Sequence, residues 1–178
     1  MHCVAAFPLD AVTTYPPDFA LVRDGGVAMF WRTAVLESAE ADLGKFGYEW
    51  VGLDAATWDE EALHRDFAAE LGFPAYYGNN MNALADCLGN VAHGDYGWHI
   101  ESGGLAVSIR GFAPFARRDP ELATLAAKKF VMASREALIF GHRLVWLLHV
   151  DDVSFRLPSV GCIQVPWNGE EWLAAGRR

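Results

Sequence analysis

Between Arg143 and Val150 the chain reads Arg-Leu-Val-Trp-Leu-Leu-His-Val, a run that leaves few folds open. A strand with apolar side chains on both faces has to be covered on both faces, which is the situation of a central strand in a parallel sheet. Crossover helices supply that cover. The rest of the sequence carries the matching pattern. Residues 105–109 alternate as a strand, and residues 27–31 and 48–53 have strand composition. Thr33 is placed to cap a helix running toward Gly47, and that spacing predicts a right-handed parallel crossover between the first two strands. Thr57-Trp58-Asp59-Glu60 reads as a capping box opening a helix in which Leu63, Phe67 and Leu71 fall on one side, with Gly72 as its stop. Asn79 or Asn80 caps a second, shorter helix striped by Met81, Leu84 and Leu88. Asp119-Pro120 opens a long helix ending at Gly141. Residues before Gly25 read as an irregular lead-in, 161–165 as one more strand, and 167–173 as a terminal cover. The expected class is α/β with a mainly parallel sheet.

At 178 residues and 52% hydrophobic content the chain has enough apolar matter for a self-supporting core. Cys3, Cys87 and Cys162 are odd in number and far apart, without metal-knuckle or redox spacing, so a reducing cytoplasm is expected. The start lacks a charged leader, and no apolar run approaches the roughly 20 residues a membrane span needs. The net charge of -9 is unevenly placed: residues 50–101 hold Asp54, Asp59, Glu60, Glu61, Asp66, Glu70, Asp86, Asp95 and Glu101 against Arg65 alone. A phosphate backbone is a poor partner for such a surface, and a basic protein a good one. Many of these carboxylates form a solvated face in any case.

Catalytic chemistry finds little support. Glycine loops for phosphate and a nucleophile elbow are missing. Cys87, His93 and His99 are spaced too widely for a structural zinc site, so no metal and no cofactor are expected, and Cys87 reads as a core thiol. His142 and His149 read as structural histidines. Asp59, Glu60 and Glu61 fall in a first helical turn, where acids favour the positive end of the dipole. The chain is read as a binding protein, not an enzyme.

What is left is residues 73–88, Phe-Pro-Ala-Tyr-Tyr-Gly-Asn-Asn-Met-Asn-Ala-Leu-Ala-Asp-Cys-Leu. Two tyrosines stand on a proline-started loop directly before a capped helix, and Asn82 and Asp86, four apart, share one outward strip. One tyrosine of the pair is expected to cover the core. The arrangement offers aromatic area at low entropic cost beside a carboxylate held at fixed geometry.

Leu63-His64-Arg65-Asp66-Phe67, Leu71-Gly72-Phe73-Pro74-Ala75-Tyr76-Tyr77-Gly78-Asn79-Asn80, Ala83-Leu84 and Asp86-Cys87-Leu88 together resemble the barstar family of intracellular ribonuclease inhibitors. The resemblance covers about residues 48–150. It implies a three-stranded parallel sheet whose second helix and preceding loop plug the nuclease active site. Asp86 matches the aspartate that stands in for substrate phosphate, Tyr76 the contacting tyrosine, Asn80 a loop asparagine at the interface, and Glu136 a further acidic contact. Asn82 occupies the place where the family often has a second aspartate, and Ala85 a place where an aromatic is common. The segment after Leu88 is longer than the family core, and its Asp95, Tyr96 and Trp98 are candidate substitute contacts. The chain is thus expected to be a single barstar-like domain over residues 1–178, with an N-terminal extension over 1–47 that adds a β-α unit, a core over 48–150, and a C-terminal extension over 151–178 that adds a strand. The expected partner is a basic ribonuclease or nuclease toxin, met without nucleic acid or membrane. The alternative is a barstar-like scaffold that joins another protein assembly.

Overall fold

A computed structural model describes residues 16–159 and 164–172. Four strands, β1 (Val27–Phe30), β2 (Tyr48–Asp54), β3 (Gly104–Arg110) and β4 (Leu144–His149), form one all-parallel sheet in the order β1-β4-β3-β2. The helices are α1 (Phe19–Arg23), α2 (Thr33–Lys45), α3 (Glu60–Glu70), α4 (Met81–His93), α5 (Phe112–Arg118), α6 (Pro120–Ile139) and α7 (Gly169–Trp172). No helix among them is long and apolar enough to cross a membrane.

The apolar run singled out in the sequence is indeed interior, with β4 flanked by β1 and β3. Its side chains divide by parity. Leu144, Trp146 and Leu148 join Leu105, Val107 and Ile109 under α3, α4, α5 and α6, while Val145 and Leu147 join Ala106, Ala28 and Phe30 under α1 and α2. The Trp146 ring lies parallel to that of Phe130 on α6, with centroids 4.3 Å apart. Each large apolar side chain buried this way contributes roughly 1.5–3 kcal/mol relative to exposure. At the β2 edge the second face is finished by Trp50, whose indole lies so close over Gly52 that an added Cβ would come within 2.5 Å of it. Its Nε1 donates to the buried Ser108 hydroxyl at 3.2 Å.

The parallel crossover expected between the first two strands links opposite edges of the sheet: β1 extends it at β4, and α2 crosses beneath to reach β2. Several other local expectations are corrected. Thr57 does not cap α3. Asp59 does, its carboxylate accepting from the Ala62 amide at 2.8 Å, because a charged acceptor two residues nearer the helix outcompetes a hydroxyl. Thr33 is already helical, and α2 lacks a side-chain cap of its own. The lead-in contains α1, and α4, at 13 residues, exceeds the 11 of α3. Helix α5 escaped the pattern reading because it is short and carries Pro114 in its first turn, where proline is tolerated. The strand expected over 161–165 lies largely outside the described residues. Next to it Trp167 makes an isolated parallel bridge with Met29, and α7 follows within the expected cover.

Candidate functional site

Helix α4 owes its position to both of its ends. Asn80 caps it, its Oδ1 accepting from the amides of Asn82 and Ala83 at 3.0 Å each, and Gly94 ends it in the left-handed region at φ 84°. Met81, Leu84, Leu88 and Val91 are buried in the core between sheet and helices. That stripe fixes the helix roll, and the roll turns Asn82 and Asp86 out to solvent, with Ala85 half-buried beside them. Among the described residues no side chain bonds or pairs with Asp86. Its charge is held in place without being spent internally.

The loop before the helix separates its two tyrosines as the sequence suggests. Tyr76 is 81% exposed. Tyr77 turns inward, its ring edge-on to Phe73 at 4.9 Å and to His64 at 5.6 Å, and its hydroxyl meets His64 Nδ1. Burial, and then the neighbouring Cys87, push the Tyr77 hydroxyl well above its ordinary range. Asn80 lies within the loop as expected, but its amide is engaged in holding the turn: besides the cap, its Nδ2 donates to Gly78 O at 3.1 Å.

Glu136 on α6 comes to the same surface. It reaches α4, where an added Cβ on Gly89 would stand 3.4 Å from its Oε2, and its Oε1 lies 2.8 Å from His93 Nε2. The His93 ring in turn packs at a tilt of 50° against the half-exposed Phe140, with centroids 4.2 Å apart. Asp95 is exposed. Tyr96 is half-buried and folds back, its hydroxyl donating to the Cys87 carbonyl at 3.2 Å; burial raises its ionisation point, and the Cys87 side chain adds to the effect. Trp98 is not at the surface. It is 8% exposed and its indole donates to the Val91 carbonyl at 2.8 Å, so a residue read as a contact is a core residue that ties the inserted segment to α4. An apolar ring after Gly97 has the α4 flank to cover, and burial wins over exposure.

Cys87, His93 and His99 do not converge: Cys87 is buried, His93 pairs with Glu136, and His99 pairs with Glu49 at 2.9 Å. Among the described residues no cluster of three histidine, cysteine or carboxylate side chains could hold a metal ion. The two residues that pattern reading missed are His64, which props the tyrosine loop, and His93, which engages Glu136. For His64 the signal was present in its i,i+4 spacing from Glu60 and its place beside the Leu63 stripe. For His93 nothing local pointed to a partner 43 residues away.

Comparison with curated proteins finds no match. The family model described as Barstar (barnase inhibitor) matches residues 51–149, which runs from within β2 to the end of β4 and takes in α3, α4 and α6. That match takes in more than half of the chain, and the chain belongs to the Barstar (barnase inhibitor) family.

Proposed function

We propose that this protein inhibits a basic ribonuclease by seating the outer face of α4 and the Tyr76 loop in the nuclease active site. The observation that carries the reading is Asp86, exposed on a helix fixed at both ends and without a partner among the described residues. A nuclease concentrates cationic groups where phosphate binds, so a preformed carboxylate enters a favourable field and meets its counter-charges with little reorganisation. Tyr76 adds exposed amphipathic ring area on the preceding loop, Asn82 stands one turn before Asp86 on α4, and Glu136 on α6 reaches the same helix at Gly89. Inhibition needs occupancy alone. The protein performs no chemistry in this account, and its working compartment is read as the cytoplasm on its odd-numbered, widely spaced cysteines.

The test is titration of the full chain against barnase, following RNA hydrolysis and binding kinetics. Wild type should inhibit with a stoichiometric endpoint. Asp86→Ala should weaken binding by about 2–5 kcal/mol, the usual loss when one member of a desolvated charge pair is truncated. Equal inhibition by both proteins would remove Asp86 from the interface. A second reading, that the scaffold has exchanged nuclease inhibition for another protein partner, is favoured by Asn82 and Ala85, which lower the charge and contact area of the strip. Affinity capture from the native cell that returns only proteins other than nucleases would support it.

A further inference from the structure

The tyrosine loop is pinned at two points, and only one of them can titrate. Asn79, at φ 47°, is the one non-glycine left-handed residue among the described residues. Asparagine tolerates this region better than most side chains, and its neighbours on both sides hold it there. On its C-terminal side the enforcement is the Asn80 cap, made of neutral amide groups. On its N-terminal side it is Tyr77, whose amide donates to the Pro74 carbonyl at 2.9 Å and whose hydroxyl is held by His64.

His64 is an unusual anchor. It is 2% exposed, and its Nε2 is buried without a hydrogen-bond partner, 3.8 Å from Glu60 Oε1. A carboxylate on that side favours the N–H at Nε2, which leaves Nδ1 as the acceptor for the Tyr77 hydroxyl proton. We propose that His64 is the positioning residue of the partner-binding loop: by accepting from Tyr77 it fixes the turn that holds Tyr76 outward, and protonation of its ring releases that turn. This rests on the reading that Tyr76 faces the partner.

The surroundings favour the neutral ring. From α3 itself, Glu60, Glu61 and Arg65 border the same depression, and Asn79 closes it. From the loop comes the Tyr77 hydroxyl, and from α4 the Cys87 thiol acts on Tyr77. Burial lowers the His64 ionisation point, and the attraction of Glu60 only partly offsets it. A protonated ring has no lone pair at Nδ1 and can only donate to the Tyr77 oxygen, so the bond must reverse, the Tyr77 proton must turn away from His64, and a charged imidazolium is left in a site only 2% exposed. Acid therefore favours a state with the ring out of its pocket and the loop held by the Asn80 cap alone.

The experiment uses the full chain as wild type, Tyr77→Phe, and His64→Gln, whose amide oxygen can still accept. Amide hydrogen exchange of residues 75–79, corrected for intrinsic rate, is measured at about pH 7.5 and about pH 5.5, on either side of histidine's ordinary range. Wild-type exchange should quicken roughly tenfold at the lower pH, the factor expected when one ordinary hydrogen bond is lost. Tyr77→Phe should exchange at the fast level at both pH values, and His64→Gln at the slow level at both. A wild-type loop whose protection ignores pH, or a Tyr77→Phe loop as protected as wild type, overturns the proposal. The same three proteins are then titrated against barnase. A dissociation constant that weakens toward acid more steeply for wild type than for His64→Gln supports coupling to binding, and identical slopes overturn it. If barnase is not bound at all, the reading of the interface fails for that nuclease, while the exchange data still decide the role of His64.

Discussion

The Glu171 carboxylate accepts from the backbone amide of Arg32 at 2.8 Å, across 139 residues of chain. Its other oxygen accepts from Trp31 at 2.9 Å, and the carboxylate itself is fully buried. Helix α2 has no side-chain cap of its own, so Glu171 serves as one from the far end of the sequence, placed by the Met29–Trp167 bridge. A negative charge at a helix amino terminus also meets the positive end of the dipole. Replacing Glu171 by Ala leaves two part-buried donors unmet and should lower unfolding free energy by about 2–6 kcal/mol, at roughly 1–3 kcal/mol per group. Urea unfolding measures it, and a loss within error of zero refutes the capping role. Affinity for barnase should stay unchanged, because α2 packs on the opposite face of the sheet from α4.

Asn82 is the natural place to strengthen the surface. It lies in the first turn of α4, so Asn82→Asp gains about 0.3–1 kcal/mol from the dipole and loses about 0.2–0.5 kcal/mol to repulsion from Asp86 at i+4. The two nearly cancel, and folding stability should hold. Affinity for barnase should rise, mainly through faster association, since a second carboxylate enters the same cationic site. Stopped-flow mixing distinguishes the outcomes: an association rate at or below wild type would mean that position 82 does not face the nuclease charges.

The parallel sheet and the α4 surface were legible in the sequence because both are local patterns. Leu144 to Leu148 announces a doubly covered strand by itself, and Asn80, Met81, Leu84 and Leu88 settle the cap and roll of α4, hence the outward aim of Asp86. What stayed hidden depends on partners distant in sequence. Trp98 reads as a surface aromatic until α4 is folded beneath it, and the Glu171 cap exists only once the C-terminal segment returns to β1. The strand order was hidden for the same reason, since β1 and β2 are equally good neighbours for each other until β4 takes its place beside β1.

His149 makes stability depend on pH. Burial, reinforced by the Arg110 charge, lowers its ionisation point in the folded chain. The unfolded chain therefore binds the proton more readily, and stability rises with pH through the interval between the depressed folded value and the unfolded value of about 6.5. His64 contributes in the same direction. Urea unfolding free energy should be level above about pH 7 and fall as pH drops below about 6.5, with His149→Gln showing a shallower fall. A variant with the wild-type slope would assign the pH dependence to other groups.

Salt should act on the encounter and not on the complex once formed. Residues 50–101 carry nine acids against Arg65, and α4 lies within that stretch. The bases that balance the rest of the chain, such as Arg117 and Arg143, are engaged with Asp151 and Asp18 on other elements. The field reaching a basic nuclease therefore comes from the binding side. Screening shortens its range from about 10 Å at 0.1 M salt to about 3 Å at 1 M. Over that interval the association rate with barnase should fall by at least about tenfold, as steered encounters do. Dissociation should change much less, because contacts within a closed interface are shielded from ions by the protein itself. Stopped-flow rates at a series of salt concentrations provide the measurement. Salt dependence carried chiefly by dissociation would place the charged contacts at a solvated rim and argue against a buried carboxylate at the centre of the interface.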